Sequence, residues 1–269
     1  MGYYLRVEPD VNIYVEDVNR ESEKTILFIH GWPANHQLFE YQFNHLPSLG
    51  YRCIGMDLRG FGNSDKPSSG YSYDRLADDV RAVVDQLHLQ NFTLAGHSVG
   101  GAISVRYMAR HNGYGVSKLA LIAAAAPSLT IRPDFPSGLP KEAVTNIIQN
   151  TYIDRPKMLQ DFEGEFFFQH ITQPFSQWFL QMGLQAAGWS TAAVATSFRD
   201  ESLFSDLRQI HVPTIILHGV HDKVCLYPLA VAQNKEIKNS KLVPFENSGH
   251  GLMWEEYEKL NRELTQFIG

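Results

Sequence analysis

A serine between two glycines is the feature of this chain that most directly suggests chemistry. The stretch from Thr93 to Ser104 reads TLAGHSVGGAIS and places Ser98 at the centre of the pattern G-x-S-x-G. A strand-like run precedes Ser98 and a helix-like run follows it, which predicts a sharp, strained turn with no room for side chains at Gly96 or Gly100. Such a turn raises the hydroxyl above the sheet and points the amide of Val99 toward a reacting oxygen. The alternative is an N-cap serine whose glycines serve close packing.

A nucleophilic serine needs a base and a group that orients the base, because a serine hydroxyl reacts poorly at neutral pH. Asp222 follows the apolar run PTIILHG, and His250 lies in a glycine-flanked loop after the run SKLVPFE. Loops after the carboxyl ends of parallel strands share one edge of a sheet, so Ser98, Asp222 and His250 are predicted to meet there. Glu246 is an alternative to Asp222, but its place near the end of a strand favours Asp222.

The stretch LFIHGWPANHQLFE supplies a second amide donor. Ile29 is predicted to end a strand, His30 and Gly31 to form the turn, and the amide of Trp32 to point into the site beside Val99. Each such donor typically stabilises the oxyanion of a transition state by about 3 kcal/mol. The alternative is a plain turn with a packed tryptophan.

Short apolar runs alternate with helix-period segments, which predicts an α/β fold with a mostly parallel central sheet flanked by helices. The predicted strands are KTILFIH, YRCIGMD, NFTLAGH, SKLALIAAA, PTIILHG and SKLVPFE, and the predicted crossover helices are DRLADDVRAVVDQL and SVGGAISVRYMARH. The N-terminal YYLRVEPDVNIYVED predicts an antiparallel hairpin instead, because no helix fits between its two β-rich runs.

The alternation stops for about eighty residues before the last two strands. Residues 127–209 are rich in phenylalanine, tryptophan and proline, and a structureless loop of that length is improbable inside a compact domain. We therefore predict a helical cap at 127–209, inserted into a core formed by 1–126 and 210–269. Its aromatic residues favour an uncharged, apolar ligand between cap and sheet, although such residues are more often plain core.

The charge and composition of the chain indicate which classes of binding partner are expected. The formal net charge is −6, which argues against nucleic acid and anionic membranes and favours a small-molecule substrate. The N-terminal segment has no long apolar run, because it contains the charged residues Arg6, Glu8 and Asp10. Neither a signal peptide nor a membrane-spanning helix is therefore expected, and a cytoplasmic location is predicted. Cys53 and Cys225 are expected to be reduced. The oligomeric state, monomer or dimer, stays open.

No cofactor or metal is expected. The run HGVHD could be interpreted as a metal cluster of His218, His221 and Asp222, but an extended segment scatters these side chains and no further ligand follows at a fixed spacing. The glycine-rich GFGNSDKP lacks the lysine of a phosphate-binding loop. His30 and His97 flank the proposed site, and we expect them to fix loop shape by hydrogen bonding.

Taken together, the motifs HGWP, DLRGFGNSDKP, GHSVGG, HGVHD and SGHG resemble the α/β-hydrolase superfamily, and especially bacterial carboxylesterases grouped with cofactor-free haloperoxidases, or perhydrolases. The resemblance covers nearly the whole chain outside the cap. It implies Ser98 as nucleophile, His250 as general base, Asp222 as the group that orients it, and the Trp32 and Val99 amides as the oxyanion hole. It also implies a helical cap.

Two departures limit the chemistry. Epoxide hydrolases and haloalkane dehalogenases share HGWP but use an aspartate where this chain has Ser98, and hydroxynitrile lyases have a lysine where Gly251 follows His250. The expected activity is hydrolysis of small to medium, uncharged apolar carboxylic esters through an acyl-enzyme. Perhydrolysis, which Pro33 beside Trp32 favours by resemblance, lactone hydrolysis and ligand reception without turnover are the alternatives.

Overall fold

Eight strands form one sheet in the computed structural model, which describes residues 1–269. In chain order the strands are β1 (Gly2–Glu8), β2 (Val11–Val18), β3 (Lys24–Ile29), β4 (Tyr51–Met56), β5 (Phe92–His97), β6 (Val116–Ile122), β7 (Thr214–Gly219) and β8 (Ser240–Phe245). Their order across the sheet is β1-β2-β4-β3-β5-β6-β7-β8. The two pairings made by β2 are antiparallel, whereas all pairings from β4 to β8 are parallel. The predicted fold class and the N-terminal hairpin are confirmed.

Eleven helices accompany the sheet. They are α1 (Glu40–Phe43), α2 (Tyr73–Gln86), α3 (Val99–Arg110), α4 (Lys141–Ile153), α5 (Arg155–Phe166), α6 (Gln173–Gln185), α7 (Gly188–Asp200), α8 (Phe204–Leu207), α9 (Tyr227–Glu236), α10 (Leu252–Glu255) and α11 (Tyr257–Ile268), with 3₁₀ turns at His36–Phe39 and Leu46–Leu49. None of the helices is long and apolar enough to cross a membrane.

The crossover helices follow the predicted pattern. In α2 the side chains of Leu76, Val80 and Val83 are buried, because residues three or four apart share one helix face. Ser72 caps this helix by accepting a hydrogen bond from the amide of Arg75. The sheet has an apolar layer on each face, since alternate residues of a strand point to opposite sides: Leu27 packs in one layer and Phe28 in the other.

The segment between β6 and β7 contains α4 to α8. Helix α7 is bound to the loop that follows β4: the Ser190 hydroxyl donates to the Gly60 carbonyl at 2.7 Å, and the indole of Trp189 donates to the Pro67 carbonyl at 2.9 Å. Helices α4 and α5 line the same cavity as Ser98. The segment predicted as a cap is therefore helical and lies over the carboxyl edge of the sheet.

Candidate active site

Ser98 occupies the sharp turn between β5 and α3. Its backbone has φ 54° and ψ −120°, in the left-handed range that L-residues avoid. The Ser98 amide donates to the carbonyl of Ile122 at 2.9 Å. A Cβ atom at Gly96 would lie 2.4 Å from the carbonyl oxygen of Gly100, and one at Gly100 would lie 2.2 Å from that of Ile29. The pattern G-x-S-x-G is thus a steric requirement of this turn.

Asp222 and His250 form a hydrogen-bonded pair in the buried interior. His250 Nδ1 lies 2.7 Å from Asp222 Oδ2, while Asp222 Oδ1 accepts the amides of Val224 and Cys225, each at 2.8 Å. Burial alone would raise the pKa of Asp222, but the charge of His250 and hydrogen bonds from His250 and His218 hold it far below its usual range. The carboxylate is therefore ionised at neutral pH and fixes Nδ1 of His250 as a donor, which leaves Nε2 to act as a base.

The serine and the histidine are not hydrogen-bonded in this structure. His250 Nε2 has no hydrogen-bond partner, and the Ser98 hydroxyl instead faces the thiol of Cys225, with 3.9 Å between Oγ and Sγ. Cys225 lies in the same loop as Asp222, and its amide donates a hydrogen bond to the Asp222 carboxylate. The three predicted residues thus meet around the loop that carries Asp222 and Cys225. The hydrogen bond between Ser98 and His250 is not formed, as is common before a substrate binds.

Three residues, His218, Cys225 and Phe166, contact the predicted site residues in ways that the sequence did not predict. His218 Nε2 donates to the carbonyl of Cys225 at 2.6 Å and lies 3.4 Å from Asp222 Oδ2. Phe166 packs its ring edge-on against His250 with centroids 4.8 Å apart. His218 and Cys225 lie close to Asp222 in the sequence, so their contact with the site could have been predicted from that proximity. Phe166 reaches the site from α5, and no local sequence pattern indicates it.

Glu246 and His221, the other residues that these motifs offered, make no hydrogen bond to His250. Glu246 is exposed and pairs with Lys259 at 2.7 Å, away from His250. His221 is exposed and stacks on Phe168 with centroids 3.8 Å apart, so it does not join His218 and Asp222. No group of three or more His, Cys, Asp or Glu side chains is arranged to hold a metal ion.

His30 and His97 fix loop shape, as predicted. His30 is fully buried and bridges two loops: Nδ1 donates to the Gly31 carbonyl and Nε2 accepts the amide of Leu58, both at 2.9 Å. Burial lowers the pKa of His30 to about 4. His97 Nε2 donates to the main-chain carbonyl of His250 at 3.0 Å, and burial lowers the pKa of His97 well below its usual value.

Trp32 and Val99, whose amides are the two predicted donors, line the same cavity as Ser98. Trp32 follows the turn after β3, and its amide donates to no group of the protein. Val99 is the first residue of α3, where a helix amide has no earlier carbonyl to bond and carries partial positive charge. The Trp32 indole donates to the carbonyl of Thr191 in α7 at 3.0 Å, which ties this loop to the helical insertion.

Ser98 opens into an apolar cavity of about 260 Å³. Most of its lining is hydrophobic, and the charged exceptions are Glu165 and Lys223, both exposed and 3.9 Å apart at the rim. The full lining consists of Trp32, Ser98, Val99, Leu129, Leu139, Ala143, Val144, Ile147, Phe162, Glu165, Phe198, Lys223 and Val224.

Comparison with known families agrees with this geometry. Residues 24–257 match the family model described as the alpha/beta hydrolase fold. The chain belongs to the α/β-hydrolase family. The resemblance seen in the sequence motifs is thereby confirmed, and the comparisons support a hydrolase.

Individual relatives span the whole chain. An AB hydrolase superfamily protein of Bacillus subtilis, YisY, is 48% identical over 267 residues, covering 99% of each chain. A bifunctional esterase/perhydrolase of Acinetobacter calcoaceticus is 29% identical and covers 100% of this chain and 99% of its own. Among solved structures, an esterase from Exiguobacterium antarcticum superimposes with a TM-score of 0.97 at 41% identity, covering 100% of this chain and 99% of its own.

Proposed function

We propose that this α/β hydrolase is a serine esterase that cleaves carboxylic esters through an acyl-enzyme. Ser98 is the nucleophile, His250 the general base, Asp222 the group that orients His250, and the amides of Trp32 and Val99 are the oxyanion hole. The observation that carries the proposal is the buried Asp222–His250 pair, 2.7 Å apart, whose loop contacts a serine in a strained turn at the floor of an apolar cavity.

The steps follow from these positions. His250 Nε2 takes the proton of Ser98 Oγ as Oγ attacks the acyl carbonyl, and the oxyanion accepts hydrogen bonds from the two amides. Collapse of the tetrahedral intermediate breaks the ester C–O bond, and the imidazolium returns its proton to the leaving alcohol. Water then attacks the acyl-enzyme by the same route and releases the acid and Ser98. Asp222 stays ionised throughout and stabilises the imidazolium.

The cavity supports an apolar acyl or alcohol group of small to medium size. Its walls are hydrocarbon and aromatic apart from Ser98 and the rim pair Glu165 and Lys223, and a buried charge would find no partner inside. Residues 127–209, treated as a cap on a core of 1–126 and 210–269, supply much of this wall. We propose a small uncharged ester as the partner, with no nucleic acid, membrane or cofactor, and a cytoplasmic enzyme whose two cysteines are free and buried.

The test is the initial rate on p-nitrophenyl esters of increasing acyl length, for the wild type and for Ser98→Ala. We expect kcat of the variant to fall by a factor on the order of 10⁶ if the three residues act as a unit. Ser69→Ala is the matched control, because Ser69 is exposed. Comparable turnover by the wild type and Ser98→Ala would overturn the proposal, and the acyl length that gives the highest rate would measure the cavity.

Perhydrolysis is a second candidate for the same site. It is supported by the relative named as a bifunctional esterase/perhydrolase and by Pro33 next to Trp32. Hydrogen peroxide would replace water, attack the acyl-enzyme and release a peracid and free Ser98. Peracid formed per ester cleaved, measured at rising peroxide concentration, separates the two: a fraction near zero leaves hydrolysis alone.

A further inference from the structure

The loop that carries His250 is bonded to the helical insertion by main-chain groups. The carbonyl of Phe166, the last residue of α5, accepts the amide of His250 at 2.8 Å and the amide of Gly251 at 3.1 Å. We call residues 247–251 the histidine loop and residues 166–169 the linking segment. The main chains of these two segments pack closely: a Cβ atom at Gly249 would lie 2.9 Å from the amide nitrogen of Phe168.

Glu255, in α10, joins the same two segments through its side chain. Its Oε1 accepts the amides of Phe168 and Gln169, each at 2.7 Å, and its Oε2 accepts the amide of Gly249 at 2.8 Å. No lysine or arginine pairs with this half-buried carboxylate. Three amide donors therefore balance its charge, and hydrogen bonds to an ionised acceptor are stronger than neutral ones.

We infer that Glu255 is a positioning residue that makes the linking segment and the histidine loop one unit and so sets where His250 stands relative to Ser98. The inference rests on the proposed function. Glycines on both sides of His250 give the loop little conformational preference of its own, so its shape depends on these outside bonds. Small displacements of a catalytic base reduce the rate strongly, because proton transfer requires hydrogen-bond distance.

Glu256 provides a matched control. Its Oε2 accepts the amide of Asn247 at 3.0 Å and the hydroxyl of Ser248 at 2.7 Å. It therefore bonds the histidine loop, as Glu255 does, but it makes no hydrogen bond to the linking segment. Comparing Glu255→Gln with Glu256→Gln separates the connection to the insertion from general support of the loop.

Two measurements test the inference on these full-length variants. The first is kcat and KM on p-nitrophenyl acetate and on a longer ester. We expect Glu255→Gln to lower kcat by about 10- to 100-fold on both esters with little change in KM. Glu256→Gln should lower kcat much less, because both bonds of Glu256 use one oxygen, which the amide oxygen of glutamine can replace. A role confined to the cavity wall would instead raise KM for the longer ester only.

The second measurement is amide hydrogen exchange, which does not depend on activity. Glu255→Gln is expected to speed exchange in the linking segment and in residues 249–251 together, whereas Glu256→Gln leaves the linking segment protected. If kcat of Glu255→Gln is unchanged, or if this variant speeds exchange in one segment without the other, the inference is overturned. If Glu255→Gln fails to fold, Glu255→Asp, which keeps the charge but withdraws the oxygens, should show the same joint loosening and a smaller loss of kcat.

The outcomes also separate this inference from the proposed function. A Ser98→Ala variant that keeps its activity removes the serine mechanism, whatever Glu255 does. An inactive Ser98→Ala variant with normal kcat in Glu255→Gln keeps the mechanism and removes the positioning role.

Discussion

The loop that carries Ser98 and the loop that carries His250 are positioned by different parts of the chain. Ser98 is held by its immediate surroundings: its amide bonds to the end of β6, Gly96 lets the first turn of α3 approach, and Gly100 lets the end of β3 approach. The ring of His250 pairs with Asp222, while the main chain of the histidine loop is bonded to Phe166 at the end of α5 and to Glu255 in α10. The proposed nucleophile thus belongs to the sheet, and the proposed base depends on the helical insertion.

This difference teaches where the site is vulnerable. A change in the helical segment between β6 and β7 is expected to disturb His250 and leave Ser98 in place, while a change in the sharp turn between β5 and α3 is expected to disturb the sheet itself. One direct bridge joins the two loops, the hydrogen bond from His97 Nε2 to the carbonyl of His250. The three predictions that follow test this division.

The largest effect is expected at Phe166. Its side chain is fully buried and packs against the rings of His97, His250, Phe162, Phe167 and Phe179. Phe166→Ala should lower the free energy of unfolding by about 3–5 kcal/mol, because it removes a buried ring and leaves a cavity. Urea unfolding measures the loss. Phe168→Ala, at an exposed ring of the same segment, is the control, and an equal loss in both variants would contradict the special place of Phe166.

The next effect concerns pH and the serine side of the site. His30 has a pKa of about 4 in the folded chain against an ordinary value of 6.5. Between these values the unfolded chain takes up a proton that the folded chain refuses, so the free energy of unfolding should fall as pH drops, by up to about 3 kcal/mol from this group. His97 contributes with the same sign.

The free energy of unfolding is measured by urea denaturation between about pH 7 and about pH 4. This range spans the ordinary pKa of histidine and the lowered pKa of His30. His30→Asn should be less stable at neutral pH, because two hydrogen bonds are lost, but its stability should depend less on pH. The same replacement at the exposed His170 is the matched control. An identical slope in the wild type and His30→Asn would show that His30 does not carry this dependence.

The smallest expected effect lies at the glycines of the two regions. Gly100→Ala would press a methyl group against the carbonyls of Ile29 and His30, and we expect it to cost about 1–3 kcal/mol of unfolding free energy. Gly164→Ala is the control, since a Cβ atom in that helix meets nothing within 4 Å and alanine favours helices by about 1 kcal/mol over glycine. Opposite signs in the two variants support the account, and a neutral Gly100→Ala contradicts it.

The division also explains what the sequence could predict. The sharp turn at Ser98 was predictable because its requirements are local: a strand, a helix and glycines at fixed spacing. The position of Glu246 near the end of a strand favours Asp222 as the partner of His250, and the structure pairs Asp222 with His250. The alternation of apolar runs gave the sheet and its N-terminal hairpin for the same reason, since strand and helix periodicities are properties of neighbouring residues.

Long-range contacts were beyond that reasoning. Nothing near Phe166 in the sequence indicates that its carbonyl binds the histidine loop. Glu255 lies only 6 residues from its partner Gly249, but its bonds to Phe168 and Gln169 span 87 and 86 residues. The open distance between Ser98 and His250, with Cys225 facing the hydroxyl, is likewise set by how loops from different strands pack. The assignment of catalytic roles stays a proposal that rests on this geometry.

The most direct measurement of the central claim is covalent labelling of Ser98. Diethyl p-nitrophenyl phosphate phosphorylates an activated serine and releases p-nitrophenolate, and mass spectrometry of the digested protein locates the adduct. We expect one diethylphosphoryl group on the peptide that contains Ser98, together with loss of esterase activity, much slower labelling in His250→Ala and none in Ser98→Ala. Labelling at another residue, or full inhibition without an adduct on Ser98, would contradict the account.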